Sequence, residues 1–281
     1  MSQDWLLGSA EELAARIPNG AKLAIGIDTI GVAMETTRAM IRRGVRDLHL
    51  VCVPVAGLQA DLLIGAGSVA TLETSAITFG EYGVPYRFHD ALKRGTLKML
   101  DATCPAIYAA MEAGRKDIPF IPLRGLLGSD LVVHRPDWKT IDNPFAPEGD
   151  NPDPILLLPA IRPDFALIHA PYADRNGNIF IGRRRDFSLM AQASKNGALV
   201  TVEEVRDVDL MASEETAAGV LPAIYVEAAA VAPRGAWPLG LEGHYDIDEA
   251  HFRRYGELAR SADGFARYLD EFVHQRRAAA E

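Results

Sequence analysis

The stretch from Arg162 to Val205 constrains the fold more than any other part of the chain. Phe165 to His169 is a short apolar run of the kind found in a buried strand, and Asn176-Gly177 is a tight-turn signal ahead of a second strand over Asn178 to Ile181. Asp186 or Ser188 is placed to cap a helix that ends at Gly197, after which Ala198 to Val202 returns as a strand rich in β-branched residues. Strand, turn, strand, helix and strand in that order predict an α/β core whose second half is a crossover unit. The rest of the chain must add layers to it.

The N-terminal part repeats the pattern. Ser9-Ala-Glu-Glu12 has capping-box spacing and opens a helix that runs to about Ile17, where Pro18-Asn19-Gly20 stops it. Lys22 to Ile25 is a first strand, Met34 to Arg43 a helix closed by Gly44, and Asp47 to Val53 a second, apolar strand. That succession implies a right-handed crossover in a parallel sheet. A helix or turn at Ala60 to Gly65, a strand from Val69 to Ile77, and a helix capped by Thr103 or Cys104 and ending at Gly114 extend it. Pro119 to Arg124 is extended, and Gly125 to Pro154, rich in proline, glycine and aspartate, reads as one long irregular functional loop. Ala223 to Ala232 is a further strand. Asp246 or Asp248 caps C-terminal helices whose stripe of Phe252, Tyr255, Leu258, Phe265, Leu269 and Phe272 packs on the sheet. No composition break divides the 281 residues, so the expectation is a single α/β domain over residues 1–281, with an open, mostly parallel sheet flanked by helices.

Charge and motifs exclude several functions. A net charge of -9 repels nucleic-acid backbones. The first residues lack a signal peptide's basic start, and no run approaches the roughly 20 apolar residues of a membrane helix, so a soluble cytoplasmic protein is expected. Cys52 and Cys104 fit reduced thiols, and the scattered histidines give no metal-ligand spacing, so no metal is expected. Gly26 to Gly31 has the outer spacing of a phosphate loop, but Val32-Ala33 stands where Lys-Ser/Thr is required, which rejects nucleotide hydrolysis. That loop is either a structural turn or a set of amides lining a pocket.

The remaining candidates are polar groups among glycines. Glu81, between Gly80 and Gly83, is either a nucleophile that a substrate can approach closely or an ordinary turn residue. Gly125, Gly128, Ser129 and Asp130 share one loop suited to hold a carboxylate or a thioester carbonyl, or simply a hydrogen-bonded turn. Arg183-Arg184-Arg185 is a phosphate clamp or a solvated edge. Of the pair Glu203-Glu204, one carboxylate must point inward and needs a partner.

Taken in order, Ala60-Asp61-Leu-Leu-Ile-Gly65-Ala-Gly67, Phe79-Gly80-Glu81-Tyr82-Gly83, Pro119-Phe-Ile-Pro-Leu-Arg124-Gly125 with Gly128-Ser129-Asp130, Pro163-Asp164 through His169-Ala, Asp174-x-x-Gly177-Asn178 and Thr201-Val202-Glu203-Glu204 resemble the α subunit of family I coenzyme A transferases over nearly the whole chain. The resemblance implies a heteromer in which a CoA-transferase β subunit carries the catalytic glutamate, which passes through an anhydride and then a glutamyl-CoA thioester. It implies small acyl-CoA and carboxylic acid substrates, with the coenzyme A thioester as substrate and no bound cofactor. Glu81 resembles the α-subunit counterpart of that glutamate, normally not the nucleophile. Asp28, Gly31, Thr103, Gly125, Gly128, Ser129 and Asp130 are then the expected pocket residues. In a related branch of ring-opening CoA-thioester hydrolases the α-like subunit supplies a glutamate, where this chain has Asp101; Asp101 or Glu81 is the reactive carboxylate under that alternative. A non-catalytic acyl-CoA-binding subunit is the third reading.

Overall fold

The computed structural model describes residues 5–27, 30–147 and 152–275. In chain order the first elements are β1 (Leu6–Leu7), α1 (Ala10–Ala15), β2 (Lys22–Gly26), α2 (Met34–Arg43), β3 (Leu48–Val53), β4 (Val55–Ala56), α3 (Leu58–Gly65), β5 (Val69–Thr74), β6 (Ala76–Ile77), α4 (Tyr86–Lys93), β7 (Lys98–Asp101) and α5 (Cys104–Arg115). There follow β8 (Phe120–Leu123), α6 (Leu131–His134), β9 (Lys139–Asp142), β10 (Pro154–Pro159), β11 (Phe165–Asp174), β12 (Ile179–Phe180), α7 (Arg185–Ala193), β13 (Ala198–Arg206), α8 (Glu214–Ala217), β14 (Val220–Leu221), β15 (Val226–Val231), α9 (Glu249–Leu258) and α10 (Ala262–Leu269).

Eight strands lie side by side in the order β1-β15-β13-β11-β2-β3-β5-β7, all parallel, with β12 and β14 added antiparallel beyond β11. The alternation of each strand divides the core in two. Leu23, Ile25, Leu48, Leu50, Leu167 and Leu199 face the layer of α1–α4, and the C-terminal stripe packs on α3, α4 and Phe79 outside that layer rather than on the sheet as expected; Ala24, Val51, Val53, Ile168, Val200 and Val202 face α5, α7 and the smaller sheet β8-β10-β9. Both faces are covered, which is why these strands read as near-continuous apolar runs. From β2 the chain steps outward through β3, β5 and β7, then returns to the other side of β2 at β11 and steps outward again. The order therefore reverses between β2 and β11, and in an open α/β sheet a crevice at the carboxyl ends of such strands is where ligands bind.

Three local expectations change. Residues 125 to 154 are not one irregular loop: α6 and β9 form inside them, and β9 pairs antiparallel with β10 through Ile155↔Ile141 and Leu156↔Thr140. Those pairings are long-range, and bounding prolines hide β10. Asp186 does not cap α7; Arg184 stands at its N-cap and Asp186 instead accepts from the Arg184 guanidinium at 2.7 Å, and the helix stops at Ala193 rather than Gly197. Residues 223 to 225 form a 3-10 turn, so β15 begins only at Val226. By contrast Ser9 accepts from Glu12 N at 3.3 Å, and Gly44 closes α2 in the left-handed conformation at φ 71°.

Candidate active site

Four of the nine candidate residues lie at or beyond the carboxyl ends of the parallel strands. Gly31 lies just beyond β2, Glu81 in a 3-10 turn (Gly80–Tyr82) beyond β6, Asp101 at the last position of β7, and Thr103 at the N-cap of α5, where its hydroxyl accepts from Ala106 N at 3.4 Å. Asp28 lies outside the described residues. Cys104 at the start of α5 meets Ser75, just beyond β5, at 3.3 Å. Across the crevice, Arg184 at the start of α7 donates to Ile30 O and to both Asp186 oxygens, and its guanidinium stacks on Phe187 at 4.0 Å. Its charge is thus held by Asp186, and Arg183 is paired with Glu242. Both arginines face acids of this chain, while Arg185, the third of the cluster, is exposed.

Two cavities open on either side of the segment that follows β2. One, of about 280 Å³, is walled by Gly31, Ala170, Phe180, Arg184 and Phe187. The other, of about 430 Å³, is walled by Ile27, Val55, Phe79, Glu81 and Phe252. Gly31 is required where it stands: its φ is +71°, and a Cβ there would meet His169 O at 2.9 Å. Its amide does not serve an anion, because Gly31 N donates to Gly240 O at 2.9 Å, while Met34 N and Glu35 N donate to Val32 O and Gly235 O. This part of the loop is therefore a turn rather than an amide cradle.

Asp101, Thr103, Gly125, Gly128, Ser129 and Asp130 line neither cavity. Gly125 to Asp130 form a hydrogen-bonded turn in which the Ser129 hydroxyl donates to Leu126 O at 2.7 Å and Gly128 takes φ 80°. Leu126 is buried and fixes the turn in the second core cluster, with Leu127 and Tyr108 of α5 packed against it. Arg135, shortly downstream, ties this region to the carboxyl edge by donating to Asp101 O at 3.1 Å and to the buried Glu73 at 2.9 Å.

Beside the first cavity lies a network that the sequence only half disclosed. Glu203 is the inward member of its pair, accepting from His169 Nε2 (2.8 Å), Tyr245 OH (2.7 Å) and Arg234 N (2.7 Å). Since Nε2–H donates to this carboxylate, Nδ1 is the acceptor for the Thr201 hydroxyl at 2.9 Å. Burial pushes His169 below its ordinary pKa against the pull of Glu203, so it stays neutral. Burial raises Glu203, but its three donors outweigh that and hold it below the usual carboxylate range. Strand pairing sets His169 directly opposite Thr201, which is the signal that a register argument would have used. Tyr245 and Arg234, far away in sequence, gave none.

A sequence model described as coenzyme A transferase matches residues 8–232. The chain belongs to the coenzyme A transferase family. Among its relatives, the 3-oxoadipate CoA-transferase A-subunit of Pseudomonas knackmussii is 31% identical over 95% of this chain and 93% of its own length. The glutaconate CoA-transferase A-subunit of Acidaminococcus fermentans is 28% identical over 94% of this chain and 86% of its own length. The crystal structure of that organism's glutaconate coenzyme A-transferase superposes with a TM-score of 0.84, at 27% identity over 96% of this chain and 89% of that one. A variant of the decarboxylase AibA/AibB superposes at 0.78, with 29% identity over 95% and 98% of the two chains. Several residues that carry the family resemblance turn out to hold the scaffold. Asp61 is buried between Tyr255 OH (2.6 Å) and Phe88 N (2.7 Å). Asp174 accepts from Asn176 N, Asn178 N, Asn178 Nδ2 and Leu210 N, which locks the hairpin between β11 and β12.

Proposed function

We propose that this chain is the α subunit of a two-subunit CoA-transferase and that a glutamate of the β subunit is its nucleophile. The observation that carries the reading is the end-to-end match to the corresponding subunits of named transferases, at 31% and 28% identity with nearly full coverage of both chains. The surroundings of Glu81 support it: Glu81 is exposed, and no hydrogen bond to its carboxylate occurs among the described residues, so nothing orients it for attack. In the proposed cycle the partner's carboxylate attacks the thioester carbonyl and expels CoA thiolate, leaving a mixed anhydride. The thiolate then attacks the glutamyl carbonyl, releasing the first acid and forming glutamyl-CoA. An acceptor carboxylate reverses both steps. Each splits one difficult exchange into easier ones and develops an oxyanion that amide donors stabilise. Gly125 and Gly128, exposed on the turn beside the carboxyl edge, are the donors this chain offers, with Ser129 and Asp130 shaping the turn and Gly31 and Thr103 fixing the crevice walls.

The test is co-expression with the adjacent reading frame, incubation with acetyl-CoA, borohydride reduction and mass spectrometry. A reducible adduct on a partner glutamate is expected. An adduct on Glu81 overturns the assignment, and thioester hydrolysis without an acceptor acid favours the ring-opening hydrolase, whose IpdA subunit from Rhodococcus jostii is 25% identical over 85% of this chain.

A further inference from the structure

We propose that the 430 Å³ cavity beside Glu81 receives the hydrocarbon end of the acyl group, so that the enzyme selects uncharged acyl chains over those ending in a second carboxylate. The inference deepens the CoA-thioester reading above and rests on it. The cavity lies in the size range of small-molecule sites. Its walls come from four separate parts of the chain: Ile27 after β2, Val55 of β4, Phe79 before the 3-10 turn, and Ile247 and Phe252 from the C-terminal region. Phe79 and Phe252 are nearly inaccessible and meet edge to face at 5.1 Å, with Phe252 also 5.1 Å from the Tyr82 ring, so these walls are preformed and stiff.

Charge decides which chain end fits. Among the described residues no lysine or arginine lines this cavity, and its one carboxylate is Glu81 at the rim. The Arg253 guanidinium lies 6.0 Å from the Tyr82 ring centroid, but it is paired with Glu249 at 3.3 Å, and the Tyr82 hydroxyl is directed at the same Glu249. A terminal methyl entering here loses only water. A terminal carboxylate would be desolvated against aromatic rings, without a cation and beside a like charge. Nothing in the smaller cavity reverses this, since its arginines are already paired with Glu242 and Asp186.

The experiment uses the chain together with the subunit that co-purifies with it, and two probes of equal length, hexanoyl-CoA and adipoyl-CoA. Binding is read by calorimetry, and transfer to acetate is read separately. Hexanoyl-CoA is expected to bind roughly tenfold more tightly. Glu81→Lys places a cation at the rim and is expected to bring that ratio to one or invert it. Val55→Trp fills the cavity and should weaken hexanoyl-CoA more than adipoyl-CoA, lowering the ratio severalfold. Equal or tighter binding of adipoyl-CoA by the unaltered protein overturns the proposal, as does binding of neither probe or a ratio that neither substitution moves. The transferase reading fails separately: the expected binding ratio without transfer to acetate removes the transferase step and leaves the selectivity standing.

Discussion

At the scale of single residues, the buried carboxylates carry opposite pH signatures. Burial raises Asp61 from 3.8 to about 6, although Tyr255, Phe88 N and the Arg87 charge pull it down. A raised folded-state pKa means that this contribution to stability is complete below about pH 3.8 and is lost as pH rises through about 6. At pH 8 the ionised group therefore destabilises the fold by about 3 kcal/mol. Asp61→Asn keeps an acceptor for Phe88 N and a polar contact to Tyr255, so it should raise the urea midpoint at pH 8 and leave it nearly unchanged at pH 4. A lower midpoint at pH 8 with no change at pH 4 would show that the charge itself is required, and a loss at both pH values that the carboxyl's geometry is. Gly31→Ala is expected to cost about 2 kcal/mol or more, from the left-handed backbone and the 2.9 Å approach to His169 O. A thermal melt of the variant checks this, and an unchanged midpoint would refute it.

At the scale of elements, Arg135 connects the turn bearing Gly125 to Asp130 with β5 and β7. Burial raises the pKa of Glu73, but the proximity of His49 and the Lys22 and Arg135 charges outweigh it and hold the group at about 2, below its ordinary 4.5. His49 Nε2 lies 3.3 Å from Glu73 Oε2, yet neither atom has a hydrogen bond of acceptable geometry, so the Arg135 contact at 2.9 Å is the firmer one. A depressed pKa gives stability that is present above about pH 4.5 and is lost as pH falls toward 2, here about 3 kcal/mol. Glu73→Gln should flatten that acid limb of the pH–stability curve. Arg135→Ala leaves a buried carboxylate without its main partner, and the expected loss is about 3 to 5 kcal/mol. Limited proteolysis should then cut first between Arg124 and Arg135; resistance equal to the unaltered chain would separate the turn from this anchor.

At the scale of the whole molecule, the family's sequence match stops at residue 232, yet the fold does not. Phe252, Tyr255, Phe265, Tyr268 and Val273 are buried in the first core cluster, Tyr255 holds Asp61, and Tyr245 completes the Glu203 network. Removing residues 233–281 would strip the layer outside α3, α4 and the 3-10 turn, uncovering Phe79, which meets Phe252 and Tyr255, and leaving Asp61 and Arg87 without Tyr255 and Phe265. The truncated chain is expected to be insoluble or to melt without cooperativity, as read by soluble yield and circular dichroism. A folded, cooperative 1–232 fragment would show that the C-terminal helices are an accessory layer.

Sequence alone determined the parallel α/β class, because strands buried on both faces and separated by capped helices leave few other arrangements, and Ser9, Gly44 and Asn176-Gly177 act locally. It also required that one of Glu203 and Glu204 point inward, since a carboxylate at the end of a buried strand needs partners. Only the tertiary structure decided which one, because Glu203 meets His169 through strand register and Tyr245 through a segment 42 residues away. Tertiary packing likewise decided that the loop at Gly31 is a bonded turn rather than a set of pocket-lining amides, folded α6 and β9 out of an apparent loop, and made Phe252 both core and cavity wall. Local propensity fixes elements within a few residues, whereas a cavity is set by which distant side chains share it, and no periodicity encodes that.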